Sequence, residues 1–155
     1  MSNSNSDIAN TWNLESESYR FDDFKKPDFA ANFFFLTKLL GDVKNKKILE
    51  VGSGSGLSSA YLAIKGANVS LLDISHKSLN FSKKYFSSMN LVGRFYLQDA
   101  FKMNFSPESF DYVWNAGVIE HFSDKDKIQM IKKMWKLVKP GGKLLITAPN
   151  SKDFP

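Results

Sequence analysis

The chain has 155 residues, of which 43% are hydrophobic, and this length and composition indicate one domain with enough apolar side chains for a core. It has no cysteine and only His76 and His121 as histidines, which excludes disulfides, thiolate catalysis and cysteine-bound zinc and argues against a histidine-based metal site. The net charge of +5 would suit a nucleic-acid partner, but most lysines fall on predicted outer helix faces, so we expect a solvated lysine surface instead.

The first part of the chain changes from polar to aromatic. Residues 1–8 are mostly Ser and Asn, which predicts a disordered tail without the features of a secretory signal. Residues 9–45 predict a helical cap, with short helices or a flap around Trp12 and Tyr19 and then an amphipathic helix from Asp28 to Leu40.

No apolar run approaches the roughly 20 residues of a membrane span, so we expect a cytoplasmic protein without a membrane partner.

Strands and helices alternate through residues 46–155. The predicted strands are 47–51, 68–74, 93–98, 110–115 and 142–148, and the helices between them are 57–65, 75–89 and 124–138. This alternation is typical of parallel crossover units. We therefore predict an α/β fold: one open, mostly parallel, doubly wound sheet of about five strands with helices on both faces.

The helix at 124–138 has an apolar stripe at helical spacing. Ile128, Ile131, Trp135 and Val138 form this stripe, which we predict to face the core. The following "KPGGK" predicts a turn that separates this helix from the last strand.

A glycine-rich loop, residues 52–56, directly follows the first predicted strand. Ligands of open parallel sheets lie beyond the carboxyl ends of the strands, and glycine lets backbone N–H groups approach them. The loop alone could also be a tight strand-to-helix turn. An NAD site is a further alternative, but its fingerprint spaces the glycines as G-x-G-x-x-G, whereas here Gly56 is followed by Leu57.

Polar residues follow the next three strands. Asp73 can accept hydrogen bonds from both hydroxyls of a ribose, or it can cap the helix that begins at Ser75. Asp99 can accept from an exocyclic amino group such as that of adenine, or be an ordinary loop aspartate. Asn115, at the end of the fourth strand, offers both a donor and an acceptor.

Five motifs, in order, resemble the class I S-adenosylmethionine-dependent methyltransferases of the small-molecule type. They are "LEVGSGSG", "LLDIS", "LQDAF", "FDYVWNAGVIEHF" and "LVKPGGKLLITAPN", and they lie between Lys47 and Asn150. The resemblance implies a Rossmann-like methyltransferase core with S-adenosylmethionine as cofactor and a small-molecule methyl acceptor as partner.

In such an enzyme the glycine loop binds the cofactor. The resemblance implies that Gly52, Ser53, Gly54 and Gly56 carry the backbone under its methionine and ribose parts. It implies that Glu50 organises the loop or meets the cofactor's amino group through water.

The resemblance also assigns the acidic positions. Asp73 would bind the ribose hydroxyls, with Ile74 packing on the adenine. Asp99 would accept from the adenine amino group, with Ala100 beside it, and Asn115 would line the methionine pocket.

A catalytic base is optional. The methyl group is bound to a sulfonium centre that leaves readily as a neutral thioether, and alignment of the reactants provides much of the rate acceleration. His121 could take a proton from an acceptor hydroxyl, but it could equally order its loop or cap the helix at Ser123. Glu120 is predicted to be structural, and Trp12 or Tyr19 could either reach the cofactor pocket or pack on the surface.

The chain departs from the family after the fifth strand, where members usually continue with a helix and an antiparallel strand pair. We expect a fragment of a longer enzyme; a short domain covered by a partner and a non-catalytic relic are the alternatives. An uncovered last strand would expose backbone groups and favour self-association. Three functions follow. The first is methyl transfer from S-adenosylmethionine to an O, N or C atom of a small molecule, by this chain or by a longer enzyme of which it is the cofactor-binding portion. The alternatives are a non-catalytic S-adenosylmethionine-binding module and a nucleic-acid methyltransferase, which only the basic charge supports.

Overall fold

The computed structural model describes residues 5–148. The helices are α1 Asn5–Glu15, α2 Pro27–Leu40, α3 Leu57–Ile64, α4 His76–Ser88 and α5 Asp124–Lys136. The strands are β1 Lys47–Val51, β2 Asn68–Asp73, β3 Gly93–Leu97, β4 Phe110–Ala116 and β5 Val138–Thr147. Short 3₁₀ helices span Ser16–Ser18, Phe21–Lys25, Ala100–Lys102 and Ile119–His121. None of the helices in this part of the chain has the length and apolar content of a membrane span.

The five strands form one parallel sheet in the order β3-β2-β1-β4-β5. This confirms the predicted fold class. The chain first winds outward from β1 to β3 and then returns to β4 on the other side of β1. The strand order therefore reverses between β1 and β4, which is where open α/β sheets bind their ligands.

Side chains alternate across the sheet and form two cores. On one face, Ile48 of β1 packs with α2, α3 and α4, in a core that includes Phe33, Leu62 and Phe86. On the other face, Leu49 and Val51 pack with α5 and the segment between β3 and β4. Both faces are covered, as the near-continuous apolar pattern of β1 and β2 requires.

The amino-terminal segment is more ordered than predicted. Residues 5–8 belong to α1, so the prediction of a disordered tail is wrong for them, and residues 1–4 lie outside the described range. Asn13 of α1 explains part of this order, because its Oδ1 accepts hydrogen bonds from Ser75 Oγ at 2.7 Å and from the Lys77 backbone N–H at 3.4 Å. Glu17 also pairs with Lys77 at 2.7 Å. These contacts fix α1 to the first turn of α4.

The buried face of α5 differs from the predicted stripe. Met130 and Met134 are fully buried, whereas Ile128 is 54% exposed and Trp135 60% exposed. Ile131 is half-buried, and only Val138, beyond the helix, is buried as predicted. The two methionines lie one turn apart, and their flexible side chains fill the space against Leu49 and Val113. The prediction followed the branched and aromatic residues and so chose the wrong face.

The segment "KPGGK" is part of β5 rather than a turn before it. Phe110 pairs with Val138 and Tyr112 with Lys143, so β5 advances five residues while β4 advances two. The extra residues form an irregular bulge in the strand. Gly142 is required there, because a Cβ at this position would collide with the carbonyl oxygen of Asp111.

Candidate cofactor site

A cavity of about 350 Å³ lies at the carboxyl ends of the central strands. The loop after β1 forms one wall, the segment after β4 forms another, and α1 covers it with Ile8 and Trp12. Nine of the eleven predicted site residues line it: Glu50, Gly52, Ser53, Gly54, Asp73, Ile74, Asp99, Ala100 and His121. The parallel topology therefore brings residues that are 71 positions apart in the sequence, Glu50 and His121, to one site.

The glycine loop is held against the end of β2. The backbone N–H groups of Gly52 and Ser53 both donate to the Leu72 carbonyl oxygen, at 2.8 and 3.0 Å. Gly52 has a φ of +72°, and a Cβ there would lie 2.5 Å from Cγ2 of Val118. Glycine at this position thus allows both the backbone turn and the close approach of the segment after β4.

Asp73 connects the loop to α4. Its Oδ2 accepts from the Gly54 N–H and its Oδ1 from the Ser75 N–H, both at 2.8 Å. The side chain is 6% exposed, and burial raises the pKa of this carboxyl, although the hydrogen bonds to Ser75 and Gly54 oppose the shift. The cap of α4 is Ser75, whose Oγ accepts from the Ser78 N–H at 3.0 Å, so Asp73 holds the capping residue in place but does not have the helix-capping role that we considered. Each carboxylate oxygen still has a second lone pair, so both can accept from a ligand in the cavity.

Glu50 is the most perturbed acid of the site. It is 5% exposed, and its Oε2 accepts a hydrogen bond from Ser59 Oγ of α3 at 2.5 Å. Burial raises the pKa of Glu50 to about 8, the Ser59 hydroxyl opposes this shift, and the nearby charge of Asp73 adds to it. The group is therefore protonated at neutral pH in the free protein.

Asp99 and its neighbours form the end of the cavity nearest β3. Asp99 Oδ1 accepts from the Phe101 N–H at 2.8 Å and so caps the short helix Ala100–Lys102. Gln98, which the sequence reasoning missed, also lines the cavity, and its N–H donates to the Asp73 carbonyl oxygen at 3.1 Å. Its position directly after β3 could have indicated it.

Two predicted site residues do not line the cavity. Asn115 is fully buried on the α5 face of the sheet, with its amide nitrogen 3.9 Å from the Met130 sulfur and 3.8 Å from the Met134 sulfur. Its neighbour Ala116 lines the cavity instead, because successive strand side chains point to opposite faces. Gly56 directly precedes α3 and has a φ of +70°, and a Cβ there would lie 2.6 Å from Ser82 Oγ. It allows close packing of the loop on α4 rather than contact with a ligand.

The amino-terminal residues Trp12 and Tyr19 both reach the cavity. The Tyr19 ring packs edge-on against Phe81 of α4 at 5.5 Å, and burial raises the pKa of its hydroxyl. Contributions from elements other than the strand ends were missed: Ile8, Phe29, Asn32, Ser55, Ser58, Ser78, Phe101, Val118 and Phe122. Most of these depend on how helices and loops pack, and no local pattern indicates them.

His121 lies in the segment after β4, at the edge of the cavity. Its ring meets Trp12 edge to face, with centroids 5.0 Å apart and an interplanar angle of 73°. Glu120 is exposed and absent from the lining. The cap of α5 is Ser123, whose Oγ accepts from the Asp126 N–H at 3.3 Å, so His121 does not have the capping role that we considered.

The polar groups of the cavity suit a cationic nucleoside. Among the residues that the structure describes, no Lys or Arg lines the cavity, whereas Glu50, Asp73 and Asp99 do. The Ser53 hydroxyl is buried in the lining without a hydrogen-bond partner in the described part of the chain, and it is available to a ligand. S-adenosylmethionine carries a sulfonium, an ammonium and a ribose, so the donor and acceptor set present here fits this cofactor.

Known proteins share this sequence pattern. A family described as a methyltransferase domain matches residues 48–142. The ubiquinone biosynthesis O-methyltransferase of Coxiella burnetii is 33% identical over 108 residues, which cover 70% of this chain and 45% of that protein. The chain thus spans about half the length of this curated relative.

Solved structures share the fold. The PH0226 protein of Pyrococcus horikoshii OT3 superposes with a TM-score of 0.76 and 26% identity, over 84% of this chain and 59% of that one. Phosphoethanolamine N-methyltransferase 2 of Haemonchus contortus, solved in complex with S-adenosyl-L-methionine, superposes with a TM-score of 0.67 and 28% identity, over 75% and 27% of the two chains. Because the domain match covers more than half of the sequence and the sheet order and glycine loop agree with it, the chain belongs to the class I S-adenosylmethionine-dependent methyltransferases.

Proposed function

We propose that this cavity binds S-adenosylmethionine and that the protein transfers the cofactor's methyl group to a small-molecule acceptor. The observation that carries the proposal is the position of Asp73. Its carboxylate ends β2, is tied to the glycine loop through Gly54 and borders the cavity, which is the arrangement needed to hold a ribose beside the loop. The names of the relatives support methyl transfer to an O or N atom of a small molecule.

Each acidic residue has a separate task in this proposal. Asp73 accepts from the ribose hydroxyls and Asp99 from the adenine amino group. The Ser53 hydroxyl and Glu50 lie where the methionine part would be held, and Glu50 would give up its proton when a cationic group lies beside it. When bound, the cofactor supplies a methyl group on a sulfonium centre. The chain's own contribution is to align the reactants, which can lower the barrier by roughly 7–11 kcal/mol in favourable cases.

A non-catalytic S-adenosylmethionine-binding module is the second candidate. It would use the same acidic cavity lining to bind the cofactor and would differ only in having no methyl acceptor. The nucleic-acid methyltransferase considered from the charge gains no support from the cavity, where no lysine or arginine is found among the described residues. The cytoplasmic location stays a prediction.

Two measurements separate these functions. Isothermal titration calorimetry with S-adenosylmethionine and S-adenosylhomocysteine tests the shared claim of cofactor binding, and a folded protein that binds neither would contradict both candidates. If the protein binds the cofactor, release of S-adenosylhomocysteine over a panel of small hydroxy and amino compounds distinguishes the enzyme from the module. We expect release with at least one acceptor of the panel.

A further inference from the structure

Glu50 is an acid at an apolar position in the middle of the sheet. Its strand, β1, lies between β2 and β4, and the parallel register places Glu50 beside Leu71 and Trp114, which are both buried. The carboxyl is 5% exposed, borders the cavity and accepts a hydrogen bond from the Ser59 hydroxyl of α3. Ionising a carboxyl in such surroundings is unfavourable unless a positive charge lies beside it.

Among the described residues, none with a permanent positive charge lines the cavity around Glu50. The titratable side chains that share the cavity with it are Asp73 at the end of β2, Asp99 after β3, Tyr19 before α2 and His121 after β4. The described lining residues of α1, α2, α3 and α4 are uncharged, namely Ile8, Trp12, Phe29, Asn32, Ser58 and Ser78. The buried carboxylate of Asp73 makes a negative charge on Glu50 still less favourable. Glu50 therefore keeps its proton at neutral pH in the ligand-free protein, with its pKa raised by burial to about 8.

The missing positive charge can come from the ligand. The proposed function places the nucleoside at Asp73 and Asp99, on the β2 and β3 side of β1. The amino acid part of the ligand is then left with Glu50 and the Ser53 hydroxyl. This part carries an ammonium in both S-adenosylmethionine and S-adenosylhomocysteine. An ammonium beside Glu50 favours the carboxylate, so the proton of the carboxyl leaves to solvent when the ligand binds.

We propose that ligand binding at this site is coupled to the release of one proton from Glu50, and that this coupling selects nucleosides that carry a charged amino acid part. A neutral nucleoside would bind without displacing the proton and would gain no ion pair. The preference for the charged ligand should be strong at neutral pH and should weaken as pH falls, because acid holds the proton on Glu50. The inference rests on the proposed function and specifies how the cofactor site selects its ligand.

The test compares two ligands that share one nucleoside. S-adenosylhomocysteine carries the ammonium, whereas 5′-methylthioadenosine ends in a methyl group and has no charge. Each is titrated calorimetrically into the protein at pH 7 in PIPES and in imidazole buffer, and the difference between the two enthalpies gives the number of protons released. We expect about 0.9 proton per S-adenosylhomocysteine, since a carboxyl with a pKa of about 8 is roughly 90% protonated at pH 7, and none with 5′-methylthioadenosine. Equal release with the two ligands, or no release with S-adenosylhomocysteine, would overturn the inference.

The pH dependence of the affinity is a second readout. The Kd for S-adenosylhomocysteine should be about tenfold weaker at pH 6 than at pH 7, since each pH unit below the pKa of the free carboxyl lowers its ionised, binding-competent fraction about tenfold. The α-amino group of the ligand is largely charged at both pH values. The Kd for 5′-methylthioadenosine should be the same at both. An S-adenosylhomocysteine Kd that does not change between pH 6 and pH 7 would contradict the coupling.

Glu50→Gln separates Glu50 from the other titratable groups of the cavity. The amide can still accept from Ser59 Oγ, but it has no proton to release. This variant should bind S-adenosylhomocysteine without proton release and with the same Kd at pH 6 and pH 7. Asp73, Asp99 and His121 are unchanged in it, so a release that persists would come from another group and would refute the role of Glu50. Glu120→Gln, at an exposed carboxylate outside the cavity lining, should release protons like the wild type.

The outcomes distinguish this inference from the proposed function. If the folded wild type binds neither S-adenosylmethionine nor S-adenosylhomocysteine, the proposed function itself fails. If it binds S-adenosylhomocysteine without releasing a proton, the cofactor site stands and the coupling through Glu50 is wrong. The comparison of the two ligands uses the wild type alone, so it decides the question even if Glu50→Gln does not fold.

Discussion

Replacing Glu50 with glutamine should change how the stability of the protein depends on pH. Burial raises the pKa of this carboxyl from 4.5 to about 8, so the native chain keeps a proton that the unfolded chain releases above about pH 4.5. Because the unfolded state then binds fewer protons than the native state, the contribution of Glu50 to the free energy of unfolding falls as pH rises from about 4.5 to about 8. Below about pH 4.5 and above about pH 8, the contribution of Glu50 to the free energy of unfolding does not change with pH.

The size of the effect follows from the shift. Each pH unit inside the window is worth about 1.4 kcal/mol, so between pH 5 and pH 7 the wild type should lose about 3 kcal/mol relative to a variant without an ionisable group at this position. Glu50→Gln is suitable because glutamine has nearly the same shape and its amide oxygen can still accept from Ser59 Oγ.

Urea unfolding of the ligand-free protein at a series of pH values measures the effect. The free energy of unfolding of Glu50→Gln minus that of the wild type should increase by about 3 kcal/mol from pH 5 to pH 7, with shifts at other groups cancelling in the difference. Glu120→Gln, at an exposed carboxylate, is the control for the substitution itself and should change the free energy of unfolding at pH 7 by less than about 0.5 kcal/mol. A flat difference for Glu50→Gln would show that this carboxyl is already ionised at neutral pH and would refute the reasoning.

Three further predictions concern the fold. Gly56 and Gly141 both have positive φ, but only at Gly56 would a Cβ meet other atoms. Gly141→Ala should therefore lower the free energy of unfolding, measured in urea, by about 1–2 kcal/mol, and Gly56→Ala should lower it by about 1–3 kcal/mol more. Equal losses in the two variants would contradict the packing at Gly56. On α5, Met130→Ala should destabilise by about 2–5 kcal/mol and Ile128→Ala by less than about 0.5 kcal/mol, and the reverse order would restore the face predicted from sequence. Within the described residues β5 pairs with β4 alone, so the outer edge of β5 should support self-association of the protein. Sedimentation velocity should then show an apparent mass that increases with protein concentration. A constant monomer mass would contradict self-association.

The sequence was sufficient to predict the sheet and its ligand edge. All five strands were placed within a few residues, because each combines an apolar run with turn residues on both sides. Once the strands are parallel, residues that directly follow them must meet at one edge, and this is why Glu50, Asp73 and Asp99 were correctly expected to lie together. Their role in binding a cofactor stays a proposal.

The errors arose where tertiary packing decides the outcome. Asn115 was expected at the ligand, but the alternation of side chains along β4 turns it toward Met130 and places Ala116 at the cavity. The buried face of α5 depends on which side chains fill the space next to Leu49, and helical spacing allowed more than one choice. The contact of Trp12 with His121 joins residues that are 109 positions apart in the sequence, and no local pattern could indicate it.

The central claim is that Asp73 organises an S-adenosylmethionine site, and calorimetric titration of the cofactor into wild type and Asp73→Asn tests it most directly. Losing two charge-assisted hydrogen bonds to the ribose should cost at least about 3 kcal/mol, which corresponds to a Kd about 100-fold weaker. Circular dichroism checks that the variant is folded, and Asp124→Asn, at an exposed carboxylate of α5, should bind like the wild type. Wild-type affinity in a folded Asp73→Asn, or no binding by the folded wild type, would contradict the account.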